Sequence, residues 1–218
     1  MKTKSFFTAL LVCLLACTTV CAATKQERNV SAFDKIDVGS AFKVHLSQGT
    51  TQSVVVEVDD EYINNVKTTV KNGTLYIKLK GIKMSLKNRN IAVMNVYITI
   101  PTINSITASG AAKLLVETPI KSSGKVSLDL SGAAQLSNVA LTCKELAAEL
   151  SGASKCGINL TADIVTVDIS GAGSLVLSGK VDKVAVDASG AAKVDINNLA
   201  YNTSDIDSSA AARVRAKR

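Results

Sequence analysis

The chain has 218 residues, 47% hydrophobic but only 4% aromatic, with no Trp, one His and a formal charge of +7. That length supports a sizeable core and excludes both a disordered tail and a disulfide-stapled miniprotein. With His45 the sole imidazole, multi-histidine metal sites are excluded, a Ser-His-Asp triad has one candidate base, and a core so poor in rings must be filled by Val, Ile, Leu and Ala.

Residues 1–22 read as an export signal. Lys2 and Lys4 precede the apolar run Phe6 to Leu15, and Val20-Cys21-Ala22 forms a small-residue cleavage site. The run is too short to cross a bilayer as a helix. Leu14-Leu15-Ala16-Cys17 also approximates a lipoprotein box. Two mature forms are therefore open, a soluble chain beginning at Ala23 or a chain acylated at Cys17, and both leave the cytoplasm. The lipid is the one membrane attachment expected, and the destination is the periplasm, outer membrane or cell surface.

Residues 23–104 form a less regular β part. Phe42 to Leu46 alternates and Val54 to Val58 alternates in part. Val66 to Val70 meets Thr74 to Leu79 across Lys71-Asn72-Gly73, where Asn-Gly predicts a tight hairpin. Lys80 to Asn90, carrying Lys80, Lys83, Lys87 and Arg89, reads as an exposed basic loop, and the strand Tyr97 to Ile100 ends at Pro101.

Residues 105–218 carry an internal repeat. Ser-Gly-Ala recurs at Ser109, Ser131, Ser151, Ser170 and Ser189, with a degenerate Ser209-Ala210-Ala211, at intervals of 22, 20, 19, 19 and 20 residues. A period this short suits one rung of a β-solenoid. Around each phrase the side chains alternate with period two. Inward rows are expected at Ile106, Leu128, Ala148, Val167, Val186 and Ile206; at Ala108, Leu130, Leu150, Ile169, Ala188 and Ser208; and at Leu114, Leu136, Cys156, Leu175, Val194 and Val214. The Gly supplies a turn that a Cβ would hinder. The fold expected is all-β, a single-stranded β-helix with rungs of about 20 residues, and residues 23–218 form one continuous domain.

Two outward rows are the candidate binding residues. Thr107, Asp129, Glu149, Asp168, Asp187 and Asp207 stand two positions before each Ser; Lys113, Gln135, Lys155, Ser174, Lys193 and Arg213 stand four after it. Stacked rungs would bring the members of a row to roughly 4.8 Å. Solvated, turn-stabilising rows are the plain reading, with a cation bridging the carboxylates as its rival; the nonapeptide of a calcium roll is absent. Asp168 and Asp187 could in principle serve as an acid/base pair, but a catalytic site usually breaks a repeat, and these belong to it. No catalytic residue, metal ligand or cofactor is assigned. The last strand aligns Arg213, Arg215 and Lys217 on one side, charge that blunts an open edge or attaches the chain to an acidic surface. Cys143 and Cys156 fall at different repeat positions and are read as free, partly buried thiols. Export, few aromatics and no recognition helix argue against nucleic acid.

Phe33-Asp34-Lys35-Ile36, Phe42-Lys43-Val44 with Gln48-Gly49, Asn72 to Ile77, Tyr97 to Pro101 and the serial Ser-Gly-Ala turns, in this order, resemble the putative auto-transporter adhesin, head GIN domain family. The resemblance runs from about Val30 to the C-terminus. Family members usually carry Gly-Ser-Gly or Ser-Gly-Ser turns, where this chain prefers Ser-Gly-Ala. The resemblance implies a β-helix shaped like pectin-lyase folds without their catalytic residues, a role in cell adhesion, and trimers as the homo-oligomer. The function expected is a non-enzymatic, exported binding or adhesion module facing a glycan or a host or bacterial surface protein. The alternative is a polysaccharide-active enzyme on the same scaffold.

Overall fold

The structure is a computed structural model that describes residues 23–81 and 93–217. The signal segment, Cys17, Lys83, Lys87 and Arg89 lie outside the described residues. In chain order the strands are β1 (Ala23–Glu27), β2 (Lys35–Val38), β3 (Lys43–Gln48), β4 (Ser53–Asp59), β5 (Val66–Lys71), β6 (Thr74–Leu79), β7 (Met94–Ile100), β8 (Ser105–Ala108), β9 (Lys113–Val116), β10 (Ile120–Lys121), β11 (Lys125–Leu130), β12 (Gln135–Thr142), β13 (Glu145–Leu150), β14 (Lys155–Ile169), β15 (Ser174–Ala188), β16 (Lys193–Ser208) and β17 (Arg213–Arg215).

The alternating sequence around each turn places every second side chain inward, and these rows stack into a solenoid of about six turns. Before the turn, β2, β8, β11, β13 and the second halves of β14, β15 and β16 lie side by side, parallel and in register. After it, β3, β9, β12, the first halves of β14, β15 and β16, and β17 do the same. A third run, pairing Leu141 with Leu160 and Leu160 with Gly179, closes the rung.

All the predicted inward rows are buried except in the last rung, where Ile206 and Val214 are half-buried and Ser208 is exposed. Near the turn the two strands converge, and a Cβ on Gly173 would stand 3.1 Å from the Ile169 side chain. Positions two before and two after each turn Gly therefore face one another. Leu130 meets Ala134, Leu150 meets Ser154 and Ile169 meets Gly173, a large residue opposite a small one. In these rungs the apex leaves no room for a ring, whereas in the rung of Ser40 the equivalent position, two residues after the turn, holds Phe42, fully buried.

The turns themselves are bonded in a column. The amides of Ala133, Ala153, Ala172 and Ala191 donate to the carbonyls of Gly110, Gly132, Gly152 and Gly171 at 2.6–2.7 Å. Each turn Gly from Gly110 to Gly190 has φ between 68° and 72°, and a Cβ there would lie 2.6–2.8 Å from the carbonyl oxygen of the turn below.

The N-terminal part departs from chain order. The column of turns starts not at Ser109 but at Ser40, whose φ is 69° and whose carbonyl accepts the Ala111 amide at 2.8 Å. Thus β2 and β3 form a full rung beneath β8 and β9, and β6 and β7 form another beneath that. Antiparallel strands then close this end, β5 beside β6, β4 beside β7 and β1 beside β4. Asn72 and Gly73, both at positive φ (52° and 73°), make the predicted hairpin turn between β5 and β6.

Gly171→Ala forces a Cβ into the left-handed region and against a carbonyl, so it should destabilise the chain by about 1–3 kcal/mol. Ala210, already at φ 60° in the last turn, gives the opposite sign: Ala210→Gly should be neutral or stabilise by up to about 1 kcal/mol. Urea unfolding midpoints of the two variants check both.

Candidate binding faces

The pairing register converts each outward row into a ladder. Thr107, Asp129, Glu149, Asp168, Asp187 and Asp207 are successive Cα partners, and all the carboxylates in it are exposed. Lys113, Gln135, Lys155, Ser174, Lys193 and Arg213 form the second ladder. Because the inward rows on both sides of the turn share one core, the two ladders point away from it on opposite sides of the turn edge. They do not combine into one mixed site.

The ladders differ in spacing. At the two ends of the basic one, Lys43 and Arg213 lie directly beside Lys113 and Lys193. In its middle Gln135 and Ser174 separate Lys113, Lys155 and Lys193, so Lys113 and Lys155 stand two rungs, roughly 10 Å, apart. That is about a Debye length at physiological salt, and their mutual repulsion is screened. The acidic ladder has no such gaps. Among the described residues no group of three or more His, Cys, Asp or Glu side chains is arranged to hold a metal ion.

The basic side also has relief. Gly157 leaves the surface bare, and a Cβ built on it would meet nothing within 4 Å. The bulge at Asn138 (φ 60°) lifts an amide beside it, and Val176 is 46% exposed. Asn138, Asn159, Gly157, Val176 and Ser178 line a shallow groove, which meets at Val176 a second one walled by Lys193, Asp195 and Arg215. An apolar floor edged by amides and ammonium groups can stack a sugar ring and hydrogen-bond its hydroxyl and carboxylate groups. Gly157, Asn138 and Val176 escaped the sequence reading because each lies at a point where one rung differs from its neighbours.

A separate polar network lies on the outer face of the first rungs. His45 stacks on Tyr97 with ring centroids 4.8 Å apart, and its Nδ1 lies 2.6 Å from Glu117 Oε1. The Tyr97 hydroxyl and the Asn95 amide donate to Glu57 Oε2 at 2.8 and 3.0 Å, and Lys25 Nζ lies 3.4 Å from the same carboxylate. Those bonds from Asn95 and Tyr97 hold the Glu57 carboxyl below its usual range, and Glu57 in turn raises the Tyr97 phenol. The network ties β1, β3, β4, β7 and the segment after β9 together. His45 therefore has a structural role here, joining rungs far apart in sequence.

Cys143 and Cys156 are free and buried. Burial pushes the Cys143 thiol up to about 11, helped by Asp163 and Glu145, and the Cys156 thiol up to about 12.

The chain belongs to the family described as "Putative auto-transporter adhesin, head GIN domain", whose model matches residues 32–217. No match is found among curated proteins. Among solved structures, the chain is similar to a "putative lipid binding protein" from Parabacteroides distasonis, at 15% identity over 88% of this chain and 80% of that one, TM-score 0.78. A "putative adhesin" from Bacteroides fragilis is 19% identical over 89% of this chain and 96% of that one, TM-score 0.69. A second "putative adhesin" from Parabacteroides distasonis is 19% identical over 90% and 94%, TM-score 0.67. At these identities the likeness is one of fold.

Two outcomes follow from the Glu57 carboxylate and the two thiols. Glu57 has a lowered folded pKa, so its stabilisation is complete above the unfolded value near 4.5 and is lost as pH falls through the lower folded one. Glu57→Gln should therefore lower the melting temperature at neutral pH and flatten its fall in acid, measured by circular dichroism. Both thiols should resist a disulfide-exchange reagent at pH 8 in the native chain and react fully in urea.

Proposed function

We propose that this chain is a non-enzymatic adhesion module that binds an extended anionic glycan along the basic face of its solenoid. The adhesin family to which it belongs is one of exported, surface or envelope proteins. The observation that carries the reading is the ladder Lys113, Lys155 and Lys193, set at regular rung spacing beside the Gly157 and Val176 groove. A uronate-bearing polymer presents carboxylates at comparable repeats, ring faces to lie on the apolar floor, and hydroxyls for Asn138 and Asn159. Many weak contacts of this kind add up through multivalency.

The acidic ladder, on the far side of the turn, has a different role in this reading. It keeps the chain soluble and repels the same polymer, so the ligand has one side on which to lie. The polysaccharide-active alternative draws less support: the relatives are named adhesins or binding proteins, and the carboxylates it would use are part of the repeat itself.

Export follows the signal reading of residues 1–22. The strand β1 begins at Ala23, so a chain cleaved after Ala22 starts within the fold, whereas acylation at Cys17 leaves only residues 18–22 between lipid and β1. Such a short tether holds the antiparallel end of the solenoid at the membrane and points the rungs outward. Mass spectrometry of the mature N-terminus should find either a free Ala23 or an acylated Cys17.

The test of binding uses the chain from Ala23 and a polyuronate probe. Binding should weaken steeply with salt, and replacing Lys113, Lys155 and Lys193 together by Gln should weaken it at least tenfold. Changing Asp129, Asp168 and Asp187 to Asn should leave it intact or strengthen it. Release of unsaturated uronates or new reducing ends would overturn the non-enzymatic reading. Capture by anionic vesicles with no affinity for the polymer would overturn the glycan.

A further inference from the structure

The two ends of the solenoid are built differently. At the N-terminal end antiparallel strands cover the stack, and β1, the outermost, is mostly exposed and polar, with no apolar inward row. At the other end, residues 203–208 of β16 and residues 213–215 of β17 each have one strand neighbour among the described residues. Their inward side chains, Ile206 and Val214, are half-buried, and Ala212 and Ala216 extend this apolar strip.

The outward side chains of this last rung are sorted by charge. Asp205 and Asp207 stand before the turn, Arg213, Arg215 and Lys217 after it, all exposed and with no ion pair among the described residues. Charge on an edge is the usual means of preventing strand addition. Here, however, one edge is acidic and the other basic, so the pair is self-complementary.

We infer that the C-terminal rung is a dimerisation surface whose occupant is a second copy of this chain, stacked end to end about a two-fold axis through the Ser209 turn. Two kinds of two-fold axis across the stack are possible, of which one passes through the turn. An axis perpendicular to the turn direction sets each strand against its own copy, Asp205 and Asp207 against Asp207 and Asp205, and arginines against arginines. Like charges directly opposite in antiparallel strands are destabilising. The axis that passes through the turn and bisects the two strands instead sets the acidic strand of one protomer against the basic strand of its partner. Since one strand runs toward the turn and the other away from it, the pairing is antiparallel.

This rotation preserves distance from the turn, so the register is not adjustable. Each residue meets the counterpart of the one it faces across its own core, as Ile169 faces Gly173 in the rung around Gly171. Asp207 of one protomer meets the partner's Arg213, Asp205 meets the partner's Arg215, and Ile206 covers the partner's Val214. Both edges gain backbone hydrogen bonds and the exposed end of the core is closed. A two-fold interface stops at the dimer, whereas head-to-tail stacking would grow into a fibre.

Sedimentation equilibrium of the chain from Ala23 should show a dimer whose dissociation constant rises at least tenfold between low and high salt. Changing Asp205 and Asp207 to Arg should raise it at least a hundredfold with an unchanged circular dichroism spectrum. Adding Arg213→Asp and Arg215→Asp to that variant should restore the dimer, because the two edges have then exchanged charge. Asp207→Cys with Arg213→Cys should yield a covalent dimer on oxidation. A monomer at all concentrations, the trimer that the family resemblance implies, a head-to-tail filament, or a charge-swapped chain that stays monomeric would each overturn the proposal. Polyuronate binding by Lys113, Lys155 and Lys193 is read separately, so failure of either reading leaves the other distinguishable.

Discussion

The contact on which the rest of the molecule depends is the approach of one turn to the next. An amide donates to the carbonyl of the turn below at 2.6–2.7 Å in the regular rungs, and a missing Cβ is what permits it. A glycine at positive φ supplies both requirements at once. With the turns locked one above another, the strands on either side have no freedom to slip, because a shift by one residue would expose every inward side chain. Pitch, register and core follow from this one column.

Regular register turns a sequence pattern into a surface. A charge that recurs once per rung becomes a ladder, and its spacing is that of neighbouring strands. The same geometry makes close like charges a cost, which the basic ladder reduces by placing Gln135 and Ser174 between lysines. Where the repeat is interrupted, at Asn138, Gly157 and Val176, the flat face acquires a groove. Adhesion by such a surface needs no deep pocket, since many shallow contacts along a polymer act together.

The repeat from Ser109 onward, with its inward and outward rows, was legible because period-two alternation and a recurrent glycine turn are local signals. The hairpin at Asn72-Gly73 was legible for the same reason. The rung at Ser40 was not: Val38-Gly39-Ser40-Ala41 lacks the Ser-Gly-Ala phrase, and its neighbour, around Ser109, comes only after two further rung strands and an antiparallel cap. Nor was the His45, Tyr97, Glu57 and Glu117 network, whose members come from four separate segments and meet only once β3 lies between β7 and β9.

The sequence by itself determined the class of fold, the length of the rung, which side chains point inward, and the existence of one acidic and one basic row, since each depends on residues within a single rung. Only the tertiary structure decided that these rows lie on opposite sides of the turn edge, that the chain enters the stack at its second rung, and that the rung around Ser209 carries two oppositely charged edges, each with one strand neighbour among the described residues. Those properties arise from which strands become neighbours in space. That choice is made by the closing of turns and the burial of the whole core, and no local pattern encodes it.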